Sequence, residues 1–257
     1  MSVRPKKYLG QHFLWDQNIA RKIVEVIKQS PTRKILEVGP GKGVLTKLLL
    51  PVFGDDFLAV EIDQESVQYL KEQYPEFTSR LIEYDFLHLD VSRYFQESFS
   101  VVGNFPYNIS SQIFFKILKN KEKIPFVVGM IQKEVAQRIS SPPGSKTYGI
   151  LSVLLQAYYQ IKIEFHVGQN SFQPPPKVKS SVISLRRNNI KRLDCNEALF
   201  FRIVKESFNQ RRKILRNSLK SFLLNLDIED TRFGQRPEQL SVADFVEITK
   251  KIEKLED

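Results

Sequence analysis

Asn104, Phe105, Pro106 and Tyr107 follow a short apolar run, Val101, Val102 and Gly103, so the chain leaves a strand where they stand. A carboxamide and a backbone carbonyl beside a proline-fixed turn can grip an exocyclic amine, and the adjacent tyrosine ring can stack on the base that carries it. The tetrapeptide therefore suggests chemistry on a purine or pyrimidine amino group. Its plain alternative is a strand end with a proline turn and a core tyrosine. Three more features belong at strand ends. Gly39, Gly41 and Gly43 let a ligand approach the backbone without β-carbon clashes. Glu61 is suited to accept hydrogen bonds from ribose hydroxyls, and Asp85 to take the amino group of an adenine ring. Together they describe a pocket for a nucleoside-containing cofactor. The glycine spacing, G-x-G-x-G, departs from the dinucleotide pattern G-x-G-x-x-G, and no Gly-Lys-Ser/Thr follows, which argues against a pyrophosphate. S-Adenosylmethionine has a ribose and an adenine but no phosphate.

Such residues need elements to hold them. Asp16 can cap a helix in which Ile19, Ile23, Val24, Val26 and Ile27 recur at helical spacing. Strands are expected at 34–38, 57–62, 81–84, 100–103, 126–131, 160–167 and 178–185, the last after a proline-rich loop at 172–177. Helices are expected at 44–50, from 63 or 64 to 73, from 110 or 111, from about 133, and at 148–159. This alternation implies an α/β fold, an open and mostly parallel sheet of about seven strands with helices on both faces, whose last two strands pair antiparallel. From Asn188 the pattern is helical only, which puts a domain boundary between 1–187 and 188–257.

The 257 residues are 42% hydrophobic and 26% charged, ordinary values for a folded soluble protein. The single cysteine, Cys195, excludes an internal disulfide framework and a multi-cysteine zinc site, and the scattered His12, His88 and His166 give no metal-ligand spacing. No 18 apolar residues run together, so a cytoplasmic protein with no membrane partner is expected. The net charge of +10 is concentrated: 186–220 holds eleven Lys or Arg against three acids, and the stretch after it nets −4. A local excess of this kind is the footprint of a nucleic-acid surface. Arg211, Arg212, Lys213, Arg216 and Lys220 spread charge along an expected helix whose Ile214, Leu215 and Leu219 face the core.

The chain resembles the ribosomal RNA adenine dimethyltransferases. The likeness is carried by GQHFL (10–14), EVGPGKG (37–43), VEID (60–63), NFPYNIS (104–110), FQPPPKVKS (172–180) and FNQRRKILRN (208–217). It implies a Rossmann-like class I methyltransferase sheet in domain 1–187 and a small all-helical RNA-binding domain in 188–257. It also implies the cofactor S-adenosylmethionine, held by His12, Leu14, Gly39, Gly41, Glu61, Asp85 and Asn104. The implied substrate is 16S ribosomal RNA within the 30S subunit or its precursor, dimethylated at N6 of two adjacent adenosines near the 3′ end by a monomer. In the implied mechanism Asn104 and a carbonyl near Pro106 orient the amine, Tyr107 stacks on the flipped base, and Phe172 covers its other face. No metal is required. The chain departs from the family pattern at His12, usually Asn, at Phe105, usually Leu, and at Gln173, commonly Arg. Two other readings are a large-subunit methylase conferring macrolide resistance and a non-catalytic ribosome assembly factor.

Overall fold

A computed structural model describes residues 3–223 and 229–256. In chain order the elements are β1 (Phe13–Leu14), α1 (Gln17–Ile27), β2 (Ile35–Val38), α2 (Thr46–Phe53), β3 (Phe57–Glu61), α3 (Gln64–Gln73), β4 (Leu81–Glu83), β5 (Ser100–Asn104), α4 (Ser110–Lys119) and β6 (Phe126–Gln132). They continue with α5 (Lys133–Ser140), α6 (Ile150–Gln156), β7 (Tyr159–Val167), β8 (Phe172–Gln173), β9 (Ser180–Arg187), α7 (Glu197–Asn209), α8 (Leu215–Ser218) and α9 (Val242–Glu256). Two compact units result, Met1–Ala136 with Ile161–Arg187, and Gln137–Gln160 with Asn188–Asp257.

The first unit is built on a seven-stranded sheet of order β4-β3-β2-β5-β6-β9-β7. The pairs β4-β3, β3-β2, β2-β5 and β5-β6 are parallel, and β9 runs antiparallel to β6. Because β2, β5 and β6 are covered on both faces, their residues Ile35, Leu36, Val101, Val102, Val127 and Val128 are all buried, which gives unbroken apolar runs instead of alternation. The chain steps from β2 outward to β3 and β4, then returns to the other side of β2 as β5. That reversal opens a crevice beyond the carboxyl ends of β2 and β5.

Local chemistry fixes what stands at that crevice. Asp16 caps α1 as expected, accepting from the Asn18 N–H at 2.9 Å and the Ile19 N–H at 3.2 Å. Two glycines clear the space behind Asn104: a β-carbon at Gly103 would lie 2.5 Å from the Val38 carbonyl oxygen, and one at Gly129 would lie 2.6 Å from the Phe105 ring. The fully buried Phe105 ring fills the gap between them and meets Phe114 edge-on at 6.0 Å. The residues after Phe105 are thus turned out of the sheet from a packed anchor.

Two features were not anticipated. Residues 172–173 of the expected loop form β8, which pairs antiparallel with β1, Phe13 opposite Gln173 and Leu14 opposite Phe172. Two-residue strands carry no periodicity to read. In addition, 137–160, placed with domain 1–187 by sequence, packs with the helical tail. The buried Tyr148 meets the Phe208 ring at 6.2 Å, and the Gly144 N–H donates to the Glu238 carbonyl at 2.7 Å. An interleaved segment of this kind leaves no trace in local composition. Within the helical unit α7 buries Leu199, Phe200, Ile203, Val204 and Phe208, the last with its ring 6.1 Å from that of Phe245 of α9 and tilted by 32°.

Candidate active site

A cleft of about 210 Å³ opens beyond the carboxyl ends of β2 to β5. It is lined by His12, Leu14, Gly39, Gly41, Glu61, Asp85, Asn104, Pro106 and Tyr107 among others, so the structure brings together the site residues expected from the sequence except Phe172, the helical cations and Gly43, which faces Leu70 and Tyr74.

The glycine loop and Glu61 build one wall together. Gly39, Gly41 and Gly43 have φ of 69°, 56° and 73°, in the left-handed region that side chains avoid. Nothing lies within 4 Å of a β-carbon built on Gly39, which leaves open space beside the loop. The Glu61 carboxylate, 5% exposed, accepts from Gly41 N–H at 3.0 Å and from the Ile62 and Asp63 N–H groups, each at 2.9 Å. Burial pushes its carboxyl above the usual range, against the pull of those amides. Glu61 therefore ties the loop to the turn after β3 before it meets any ligand. Asp85 accepts from the Leu87 N–H at 2.9 Å and lies 2.7 Å from the His88 ring nitrogen, leaving a carboxylate edge on the cleft.

The second wall is the turn after β5. The Asn104 side-chain amide donates to the His12 carbonyl at 2.8 Å. A carbonyl only accepts, so the nitrogen of the amide must face it and the oxygen is left for a donor in the cleft. The Pro106 carbonyl accepts from the Ile109 N–H at 3.2 Å and keeps a second lone pair. The Tyr107 hydroxyl hydrogen-bonds Ser180 Oγ, and its ring centroid lies 5.3 Å from that of His12, tilted by 31°. The His12 Nδ1 donates to the Pro174 carbonyl at 2.9 Å, so its side chain is spent on holding the β8 loop.

Phe172 is 3% exposed and packs in the core with Leu14 and Val167; it does not line the cleft, because its strand pairing with β1 turns the ring inward. The expected helix through the basic segment is instead a turn at 210–213 followed by the single helical turn α8. Helix α7 ends at Asn209, Gln210 leaves the helical conformation at φ −113° and ψ 41°, and the Lys213 N–H closes back on the Gln210 carbonyl at 2.8 Å. Leu215 and Leu219 are buried and Ile214 is half-buried, while Arg212, Lys213, Arg216 and Lys220 are exposed. Arg211 is partly spent within its own unit, donating to the Lys146 carbonyl at 2.6 Å beside Glu238 at 3.8 Å.

Two contributors were missed. Glu37, 1% exposed, lines the cleft and accepts from the Thr46 hydroxyl at 2.7 Å. Burial pushes its carboxyl up to about 8, against the Thr46 hydrogen bond and with the help of the Glu61 charge. An acid inside the apolar run Ile35-Leu36-Glu37-Val38 was its visible signal. The other is Asp63, on which the leading segment is moored: it takes an ion pair from Lys6 and hydrogen bonds from Gln11 at 3.3 Å and Ser66 at 2.8 Å. Burial alone would raise the Asp63 carboxyl, but those partners hold it below the usual range. The mooring keeps Tyr8 to Leu14 along the cleft.

The set fits a nucleoside cofactor without phosphates. Carboxyls at Glu37, Glu61 and Asp85 supply acceptors, and Lys42, the one permanent cation lining the cleft among the described residues, stands 5.1 Å over the Phe13 ring. Among the described residues no group of three or more His, Cys, Asp or Glu is placed to hold a metal ion.

A family model described as ribosomal RNA adenine dimethylase matches residues 3–254. A relative from Parabacteroides distasonis, named ribosomal RNA small subunit methyltransferase A, is 54% identical over 96% of this chain and 93% of its own. One of the same name from Cytophaga hutchinsonii is 49% identical over 97% and 98%. Among solved structures, a dimethyladenosine transferase from Plasmodium falciparum superposes with a TM-score of 0.77 at 24% identity, covering 95% of this chain and 98% of its own. The 23S rRNA methyltransferase ErmE gives 0.65 at 25% identity, covering 92% and 99%.

Proposed function

The chain belongs to the ribosomal RNA adenine dimethylase family; it dimethylates adenosine in small-subunit ribosomal RNA with S-adenosylmethionine, and we propose that the turn from Asn104 to Tyr107 aims the reacting amine. When bound, S-adenosylmethionine supplies an electrophilic methyl group on a sulfonium.

The chain's own part is to hold and orient. Gly39 and Gly41, with Glu61 and Asp85, hold the donor's ribose and adenine, and Glu37 adds a carboxyl to the same wall. The Asn104 oxygen, freed by the bond of its amide nitrogen to His12, accepts one N–H of the adenine N6 amine, and the Pro106 carbonyl accepts the other. The N6 lone pair is delocalised into the ring, so the cost of turning it toward a methyl group is met by this fixed pair of acceptors. Tyr107, fixed at its hydroxyl by Ser180, offers its ring to the flipped base. Transfer would then be direct displacement with no covalent enzyme intermediate: the nitrogen–carbon bond forms as the carbon–sulfur bond breaks, the thioether leaves, one N6 proton is lost to solvent, and the step would repeat on the same nitrogen.

The observation that carries this reading is the Asn104–His12 hydrogen bond, which decides which atom of the carboxamide faces the cleft. The targets are two adjacent adenosines near the 3′ end of 16S RNA, met by a monomer in the 30S subunit or its precursor, in the cytoplasm. Among the described residues no helix is long and apolar enough to cross a membrane. The exposed Arg212, Lys213, Arg216 and Lys220 serve as RNA contacts of the helical unit. Isothermal titration with S-adenosylmethionine tests the cofactor site. Saturable binding is expected, and none would favour a non-catalytic assembly factor.

A further inference from the structure

We infer that Lys133, Lys177 and Lys179 form a second RNA-binding site, on the catalytic unit itself, which grips the phosphates flanking the target adenosine. The inference rests on the RNA substrate proposed above and adds the place where the strand is held beside the cleft.

The position follows from hydrogen bonds. The loop after β8 is fastened to the cleft at both ends: the Pro174 carbonyl accepts from His12, and Ser180 meets the Tyr107 hydroxyl. Both partners line the cleft, so the residues between those anchors stand at its mouth. Lys177, Val178 and Lys179 are all exposed there, while Pro176 is buried and pins the loop between them and β8.

The charges are arranged against their own interest. The Lys133 N–H donates to the Lys179 carbonyl at 2.9 Å, one step beyond the antiparallel pair of Gln132 with Ser180. Two lysines therefore stand opposite each other at the end of β6 and β9, an arrangement that repels. Among the described residues none of Lys133, Lys177 and Lys179 forms an ion pair, whereas Lys6, Lys28, Lys71 and Lys162 each face an acid. Unpaired like charges on a tethered loop are relieved by an anion, and the anion adjacent to a flipped nucleotide is its own backbone. Exposed Val178, between the two loop lysines, adds an apolar surface for the neighbouring sugar or base.

The test compares wild type with the variant Lys133→Gln/Lys177→Gln/Lys179→Gln, using undermethylated small subunits as RNA and varying salt. The slope of log affinity against log salt should flatten by about 1 for each phosphate that the variant no longer neutralises. KM for the subunit should rise by about tenfold or more, with kcat and the affinity for S-adenosylmethionine within about twofold. Lys28→Gln, which removes a cation already paired with Glu25, should leave the slope as it was. At low salt Lys179→Gln alone should raise the melting temperature, since it relieves the repulsion. An unchanged slope in the triple variant, or a loss of cofactor affinity equal to the loss of RNA affinity, overturns the inference. Wild-type turnover on small subunits separates the two claims. Its absence would contradict the proposed function, whereas its presence with an unchanged slope would contradict only this site.

Discussion

The side-chain nitrogen of Asn104 donates to the backbone carbonyl of His12 at 2.8 Å across 92 residues of sequence, and that one bond orients the carboxamide. Asn104→Asp keeps the size and loses the donor, setting a carboxylate oxygen against a carbonyl. Methyl transfer should fall by about 10²-fold or more while RNA affinity stays within about twofold. Asn104→Ala should abolish transfer with the same sparing of RNA binding. Comparable loss of both would make Asn104 a structural residue, which a filter-binding assay beside the transfer assay would reveal.

Glu61 holds three backbone amides, and Gln in its place would turn an NH₂ group toward at least one of them. Glu61→Gln should lower stability by about 2–3 kcal/mol and weaken S-adenosylmethionine binding, read by thermal unfolding and titration. A variant with wild-type stability would show that the amides find other acceptors.

Glu37 predicts a pH dependence. Its folded carboxyl lies at about 8 against an ordinary 4.5, so between those values the folded state keeps a proton that the unfolded chain has released. Stability should therefore fall as pH rises from about 4.5 to about 8, and Glu37→Gln should flatten that slope. Melting temperatures of both proteins at pH 5, 6, 7 and 8 check the sign. A steeper slope in the variant would exclude Glu37 as its source.

Gly129→Ala would place a methyl group 2.6 Å from the Phe105 ring. Displacing that ring should destabilise the protein by about 1–3 kcal/mol and also slow transfer, because Phe105 anchors the turn carrying Asn104 and Pro106. Chemical denaturation and kcat measure the two effects. A destabilised variant with full activity would uncouple the anchor from the site.

The sheet was legible because each of its parallel strands is an apolar run ended by a residue that the fold needs there, Val38 before Gly39 or Gly103 before Asn104. The site residues were legible for the same reason: strand ends converge by topology, so Glu61, Asp85 and Asn104 could be grouped without a contact being seen. What stayed hidden depended on distance in sequence. Phe105 stands where the family usually has Leu, and only the fold shows that Gly103 and Gly129 make room for its ring. The family resemblance implied a base-covering role for Phe172, and only the pairing of Leu14 with Phe172 shows why its ring turns inward. His12 lines the cleft as expected, but the bond from its ring nitrogen to the Pro174 carbonyl, 162 residues away in sequence, could not be read from local pattern.

The central claim is tested most directly by incubating the protein with labelled S-adenosylmethionine and undermethylated small subunits, then mapping blocked adenosines by primer extension. Label and two adjacent stops near the 3′ end of the small-subunit RNA are expected with wild type, and neither with Asn104→Ala. Label appearing only on large-subunit RNA would contradict the account.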